Sequence, residues 1–438
     1  MKTLLLTLLR SATMIVATTL ITSLALLMAA GWMLKAQPDE WSMPLRVGTP
    51  EFGVRIEAGV ASLLRVSTNP VGLLLLDGRS LTTPYGTLHF SHLDDERFAI
   101  DCRPCRLQVP AFGDEPLVLA AVRITGTQRA DTLHGTIEAG RLAGRYTGRF
   151  DTRTMTLDIR LDPAPIAAYY QMFGANVPEV GFADIAGTAS LAVKIELPSA
   201  RVSIRPVIEG FAVSGLGTER LAGRLPAVSC AGGTGTRRTR KAATDFGFWL
   251  PRAVIAAEDQ RYYEHPGYDL DELLTSIDRN QAAARVERGA STIPQQLAKL
   301  LQVGSERTVS RKLRELLYAT EMEQTLGKAR MLQLYLSVVP WGEGTCGAEA
   351  AAMHYFNVPP AKLSGAQAVW LAAMLHAPDR EAAQWASTGR IDLPRATWVA
   401  KGLQRIRADA RMRVLDELAT MAPGAEPPGI VASSRDGY

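Results

Sequence analysis

The sequence predicts a multidomain protein with an N-terminal transmembrane helix, a β-rich domain and then a mainly α-helical domain. Three observations predict it: an uncharged apolar stretch over Ser11–Leu34, apolar–polar alternation between residues 41 and 225, and helical periodicity after residue 245. The chain has 438 residues, of which 47% are hydrophobic and 21% charged. This composition excludes a mainly disordered chain and a polytopic membrane protein, and the length is typical of two or three domains.

The apolar stretch over residues 11–34 is long enough to cross a hydrocarbon core of about 30 Å as a helix. Lys2 and Arg10 precede it, which places residues 1–10 in the cytoplasm. A cleaved signal peptide is the alternative, but the run is longer than a usual signal core and lacks a clean small-x-small cleavage site. We therefore expect a single-pass anchor in a bacterial inner membrane, with the bulk of the chain in the periplasm.

Residues 41–225 read as β-structure. Apolar and polar residues alternate in Thr156–Leu161, Leu191–Leu197 and Arg201–Ile204, and one helix is expected over 165–173. The layout resembles that of AsmA-like envelope proteins, and no acid–base or metal constellation stands out in it. The prediction is a periplasmic domain with a structural or partner-binding role.

The chain contains four cysteines. Cys102 and Cys105 form a C-R-P-C pair that a strand follows, so a small structural disulfide in an oxidising compartment is favoured over a reactive dithiol. Cys230 and Cys346 are expected to be free thiols. The six histidines are scattered without zinc-type spacing, so the sequence identifies no metal ligands.

A linker is predicted over residues 226–244, where a Gly-rich run meets the basic cluster 237–241. That cluster is either a solvated stretch or a contact with anionic lipid head groups. Residues 421–438 read as a disordered tail. The net charge of +4 is too small to indicate nucleic acid as a partner.

Between the linker and the tail lies the α-helical domain, residues 245–420. Its helices are predicted over 251–263, 293–302, 308–326, 328–337, 345–356 and 364–375.

A first motif, E-D-Q-R-Y-Y-E-H-P-G, begins at Glu258 and closes an apolar helical run. A carboxylate at the end of a buried helix face is partly desolvated, which raises its pKa and makes it a better general base. The alternative is a helix-end acid in a local salt bridge. The motif therefore nominates Glu258 as a catalytic base.

Two further motifs predict an anion site. In the segment Gly289–Lys299, Ser291 or Thr292 can cap a helix with Pro294 in its first turn, and such a helix start binds anions. The segment Arg307–Glu315 concentrates four cations and one carboxylate within two to three turns. Together they have the charge to hold a diphosphate, with Glu315 kept ionised by the cations.

These motifs, in this order and followed by a helix ending Y-L-S and a segment ending Y-F-N, resemble glycosyltransferase family 51, the peptidoglycan glycosyltransferases. The resemblance covers residues 245–395. It implies a lysozyme-like α fold that polymerises lipid II onto a growing glycan chain, with no organic cofactor. No S-x-x-K with a later K-T-G is present, so the resemblance is to the monofunctional form. Other cell-wall synthesis proteins and membrane lipid are expected partners.

The resemblance also implies residue roles. Glu258 matches the general base for the acceptor 4-hydroxyl. Glu315 matches a second catalytic carboxylate that assists the leaving diphosphate, and a divalent cation, Mg²⁺ or Mn²⁺, would act with it. The remaining matched residues fall in the substrate-binding site: Ser291, Gln295, Gln296, Lys299, Arg307, Arg311 and Lys312.

The motifs depart from the family pattern at several positions. Tyr262, Pro294, Leu300, Gln333, Ser337 and Asn357 replace the residues that the pattern expects. Both carboxylates are present, which favours activity. The alternatives are a weak or inactive scaffold that recruits other cell-wall enzymes, and a lysozyme-like hydrolase, against which the diphosphate-binding cluster argues.

Overall fold

The structure is a computed structural model that describes residues 18, 22, 34–36, 40–48, 53–94, 97–107, 117–151, 154–172, 176–199, 201–223, 245–283, 291–304, 308–342 and 344–421. The predicted anchor over 11–34, the linker over 226–244 and the tail over 421–438 lie almost wholly outside these ranges. Within the described part of the chain, no helix combines the length and apolar character that a membrane crossing requires.

The chain forms two compact units. The first contains the described residues up to 107, residues 117–172 and residues 188–209. The second contains everything described from residue 245 onward and also two earlier segments, 176–187 and 210–223. The division is therefore not at a single point near residue 230, because two pieces of the predicted β-rich region fold with the helices.

The first unit is built on β-strands, as predicted. A hairpin of β1 (Ser42–Gly48) and β2 (Gly53–Gly59) precedes a ten-stranded sheet. The sheet strands are β3 (Ser80–Thr83), β4 (Gly86–Asp94), β5 (Arg97–Leu107), β6 (Leu117–Leu119), β7 (Val122–Arg129), β8 (Thr132–Ala139), β9 (Leu142–Phe150), β10 (Met155–Pro165), β11 (Asp184–Leu197) and β12 (Arg201–Ser214). Their order is β12-β11-β10-β9-β8-β7-β5-β4-β3, and β6 pairs with β5.

Burial along β9 alternates strictly, which is the period-two pattern of a sheet with one buried face. The core contains Phe90, Phe98, Tyr146 and Met155. The helices of this unit whose bounds the structure describes are α1 (Val60–Thr68), α2 (Pro70–Leu76) and α3 (Ile166–Met172). The helix predicted over 165–173 is confirmed as α3, whereas α1 and α2 were not predicted.

One of the cysteine predictions is confirmed and another is wrong. Cys102 and Cys105 are joined by a disulfide, as predicted. Cys346 is disulfide-bonded, so the prediction of a free thiol there is wrong. Nothing near Cys346 in sequence indicates a bonded state. Cys230 lies outside the described residues.

The second unit is helical, as predicted. Its helices are α4 (Trp249–Glu258), α5 (Leu270–Ala283), α6 (Ile293–Ala298), α7 (Val309–Val338), α8 (Ala348–Phe356), α9 (Gly365–Met374), α10 (Pro378–Thr388), α11 (Leu393–Gly402) and α12 (Ala408–Thr420). A π-helical turn, Lys299–Val303, extends α6. The two helices predicted over 308–326 and 328–337 are the halves of α7, which meet at the non-helical backbone of Gly327.

Candidate active site

Helix α4 carries Glu258 as its last residue. Leu250, Ala253 and Val254 on this helix are fully buried, so the apolar run anchors the helix in the core. The helix ends here because Asp259 leaves helical geometry and uses its side chain elsewhere. Its carboxylate accepts hydrogen bonds from His265 Nε2 at 3.0 Å and from the backbone N–H of Ile293 at 2.9 Å. Asp259 therefore ties the first motif to the start of α6.

Among the described residues, one oxygen of the Glu258 carboxylate accepts a hydrogen bond and the other does not. Its Oε2 accepts a hydrogen bond from Gln296 Nε2 at 2.9 Å, and Gln296 Oε1 in turn accepts one from the buried Tyr335 hydroxyl at 2.7 Å. Within the described residues, Oε1 is buried without a hydrogen-bond donor and lies 3.9 Å from Arg395 Nη2. Desolvation raises the pKa of Glu258, although Gln296 and Arg395 partly oppose this shift. One oxygen is thus free to accept a proton.

Helix α6 starts at a capping box. Thr292 Oγ1 accepts from the Gln295 backbone N–H, and Gln295 Oε1 accepts from the Thr292 backbone N–H. Thr292 also donates to the Gly267 carbonyl at 2.7 Å. Gly267 has φ +90°, and a Cβ there would lie 2.7 Å from the Ala319 carbonyl oxygen, so this position requires glycine. The structure thus gives Gln295 a capping contact, and its predicted role in substrate binding stays a prediction.

A cationic cluster surrounds Glu315 near the start of α7. The Glu315 side chain is 1% exposed; its Oε2 pairs with Lys312 Nζ at 2.8 Å and its Oε1 pairs with Arg311. Lys312 Nζ also bonds Ser291 Oγ, which precedes α6. Burial lowers the pKa of Lys312 to about 8, and the neighbouring charges of Arg311 and Lys299 add to the shift. Lys299, which opens the π-helical turn, therefore lies close enough for its charge to act on Lys312.

Helix α6 connects the two carboxylate sites. Gln296 in this helix contacts Glu258, Ser291 before it bonds Lys312 in the cluster around Glu315, and the charge of Lys299 after it acts on the same lysine. Of the predicted site residues, seven are engaged in these two groups: Glu258, Glu315, Ser291, Gln296, Lys299, Arg311 and Lys312. Arg307 lies outside the described residues.

Sequence reasoning missed Tyr335 and Arg395. Both act on the Glu258 environment, Tyr335 through Gln296 and Arg395 by its charge. Arg395 comes from α11, which was not predicted as a helix. Tyr335 belongs to the fourth motif, Y-L-S, and its position in that motif was the one available signal.

The residues around Glu315 do not fit a divalent cation. Each carboxylate oxygen already faces a cationic side chain, Oε1 that of Arg311 and Oε2 that of Lys312. A metal ion bound by this carboxylate would be repelled by both groups. We therefore assign no step to a metal.

A second set of metal-ligating residue types lies elsewhere in this unit. Among the described residues, His376, Glu381 and Asp392 bring ligand atoms within 4.8 Å of one another. Arg380 Nη2 lies 2.8 Å from His376 Nε2 and 3.1 Å from Glu381, and Asp392 caps α11 by accepting from the Arg395 backbone N–H. These contacts give each side chain a protein partner.

Comparison with known proteins matches residues 229–404 to the family described as transglycosylase. Similar proteins include the biosynthetic peptidoglycan transglycosylases of Cupriavidus metallidurans, 50% identical over 129 residues (30% of this chain and 55% of that protein), and of Nitrosomonas eutropha, 46% identical over 129 residues (30% and 53%). A third, from Alcanivorax borkumensis, is 46% identical over 131 residues (30% and 54%). The chain spans about half the length of these relatives. The resemblance predicted from the motifs is confirmed over this part of the chain.

Proposed function

We propose that this chain, whose residues 229–404 match the transglycosylase family, is a peptidoglycan glycosyltransferase that polymerises lipid II into glycan strands and releases undecaprenyl diphosphate. One observation carries the proposal: α6 joins a desolvated carboxylate, Glu258, to a cluster of partly buried cations around the buried Glu315. A base and a diphosphate site linked through one short helix are what a transfer from a lipid diphosphate needs.

In this proposal Glu258 is the general base. Its Oε1 takes the proton of the acceptor 4-hydroxyl while that oxygen forms a bond to the anomeric carbon of the donor and the bond to the diphosphate oxygen breaks. Base and leaving group act from opposite faces, so one displacement inverts the anomeric carbon. The raised pKa of Glu258 makes it a stronger base than an exposed glutamate.

The cationic cluster acts on the leaving group. Lys299, Arg311 and Lys312 offer charge to the diphosphate, whose negative charge grows as the glycosidic oxygen departs. Glu315 pairs with two of these cations and fixes where their charges lie before substrate binds. Preorganised charge of this kind stabilises the transition state without a reorganisation cost.

We further propose that the chain acts at the bacterial inner membrane, held by residues 11–34 with residues 1–10 in the cytoplasm and the remainder in the periplasm. A lipid-linked substrate supports this placement, because donor and acceptor both stay in the bilayer. The β-rich unit is proposed to bind other cell-wall synthesis proteins.

The experiment is incubation of the purified full chain, in detergent, with fluorescent lipid II. We expect polymeric strands that a muramidase cuts back to disaccharide units, with undecaprenyl diphosphate released as strands grow. Strands that resist the muramidase would contradict the proposed linkage. Binding of lipid II without any polymer would instead support an inactive scaffold.

The pH dependence of kcat/KM is expected to be bell-shaped. The acid limb arises because Glu258 must be ionised, and it lies above the ordinary glutamate pKa because burial raises the value. The alkaline limb lies near pH 8, because Lys312 loses its charge as pH rises through its lowered pKa. Measuring kcat/KM from pH 5 to pH 10 checks both limbs. In Lys312→Arg the alkaline limb should disappear, and a limb that persists there would exclude Lys312 as its source.

A further inference from the structure

Two segments that lie before the transglycosylase match are part of the helical unit. Residues 176–187 and 210–223 belong to the second unit, whereas the family match begins at residue 229. Both segments contact α7, the helix that carries Arg311, Lys312 and Glu315. The inference below rests on the proposed function and concerns what these contacts do for it.

The first segment presents a buried carboxylate to α7. Glu179, in a short 3-10 helix over 178–181, is 1% exposed. Both of its oxygens accept from Arg314 Nε, at 2.8 and 3.0 Å. The Tyr318 phenol lies one turn further along α7, and burial together with the nearby Glu179 charge raises its pKa. Glu179 is therefore fixed to α7 through Arg314.

The second segment is anchored further along the same helix. The buried Glu321 accepts from the backbone N–H groups of Leu216 at 2.7 Å and Thr218 at 3.2 Å. Arg330 donates to the Leu221 carbonyl at 2.8 Å. These bonds hold residues 216–221 along α7, but they lie about two to four turns beyond Glu315. The Glu179 contact alone, among those described here, reaches the turn that holds the cationic cluster.

The contact between Glu179 and Arg314 can affect the cationic cluster because of where Arg314 lies on α7. Arg314 is the residue before Glu315, and it lies between Lys312 and Tyr318 in sequence. A side-chain tip lies about 5–6 Å from a helix axis, so a rotation of roughly 10° moves it by about 1 Å. A shift of about 1 Å at a group that acts on the reacting atoms is enough to slow an enzymatic step by about 10²-fold.

We propose that Glu179 is a positioning residue for glycosyl transfer: by holding Arg314 it sets the rotation of the first turns of α7, so that Arg311, Lys312 and Glu315 face the leaving diphosphate. Glu179 touches neither substrate nor the reacting atoms in this assignment. The segment that carries Glu179 lies before the matched family region. It positions the cationic cluster through α7 and without a contact to substrate.

The test compares Glu179→Gln, Glu179→Asp and the control Val414→Ala in the full chain. Val414 is a buried core residue of α12, so its truncation lowers the thermal midpoint without a contact to the cluster. We expect Glu179→Gln to lower kcat about tenfold or more, with KM for lipid II changed less than about threefold. Glu179→Asp keeps the charge and should retain most of kcat, and Val414→Ala should retain all of it.

Amide hydrogen exchange over residues 311–316 gives a second readout that needs no turnover. Exchange there should rise in Glu179→Gln and stay at the wild-type level in Val414→Ala. Unchanged exchange, or unchanged kcat in an active enzyme, would overturn the inference; so would a loss of kcat in Val414→Ala that tracks its lower thermal midpoint. An inert wild type with altered exchange in Glu179→Gln would reject the proposed function and leave the positioning of α7 supported.

Discussion

Glu258→Gln is expected to lower the kcat of lipid II polymerisation by about 10²- to 10⁴-fold, the range over which a positioned general base acts. The amide has the size of the carboxylate but cannot take the proton of the acceptor hydroxyl. Its oxygen can still accept the hydrogen bond that Gln296 Nε2 donates at 2.9 Å in the wild type. The loss should therefore appear in kcat, with little change in KM. Steady-state kinetics with fluorescent lipid II measures both parameters.

Thermal stability is the control for this substitution. The pKa of Glu258 is raised in the folded chain, so its ionised form lowers the free energy of unfolding at pH 7. The neutral amide removes that cost, and the thermal midpoint of Glu258→Gln should equal or exceed that of wild type. A variant that loses activity together with several degrees of thermal stability would show damage to the fold and contradict the assignment of a base.

Glu315→Gln is expected to have the second large effect, on both activity and stability. Removing the carboxylate leaves Arg311 and Lys312 without their buried partner, which costs about 3–5 kcal/mol of unfolding free energy when one member of a buried pair is lost. The two cations then repel each other and their positions change. We expect kcat to fall by about 10²-fold or more, because charge is no longer placed at the leaving diphosphate.

Glu323→Gln is the matched control on the same helix. Glu323 pairs with Lys328 at 2.9 Å and is 19% exposed, so its replacement also breaks an ion pair of α7. Denaturant unfolding should show a smaller loss of stability, and kcat should stay within about threefold of wild type. Equal losses of kcat in the two variants would mean that Glu315 supports the helix and has no special part in transfer.

Much of the site could be predicted because its chemistry is local in sequence. Arg311 and Lys312 lie four and three residues before Glu315, a spacing that lets each side chain meet the carboxylate on one helix face. The cap at Thr292 likewise follows from residue type and the proline two residues later. The contacts that adjust the site are long-range, and no local pattern indicates them. Arg395 is 137 positions from Glu258, and Glu179 is 135 positions from Arg314.

The helices show the same division between local and long-range information. The break at Gly327 falls between the two helices predicted over 308–326 and 328–337, and glycine accepts the φ of +69° found there without strain. Helix α4 was predicted to continue to residue 263 but ends at Glu258. The reason is Asp259, whose carboxylate bonds His265 and the Ile293 backbone N–H and so holds the chain in a turn. A bond to a residue 34 positions away is invisible to periodicity.

The polymerisation of fluorescent lipid II by purified wild type and by Glu258→Gln, measured side by side in the same detergent, tests the central claim most directly. We predict glycan strands from the wild type, with one undecaprenyl diphosphate released for each glycosidic bond formed, and neither product from Glu258→Gln above the background rate. Equal activity in the two proteins would contradict the role of Glu258, and equal inertness of two folded proteins that both bind lipid II would contradict the enzymatic function itself.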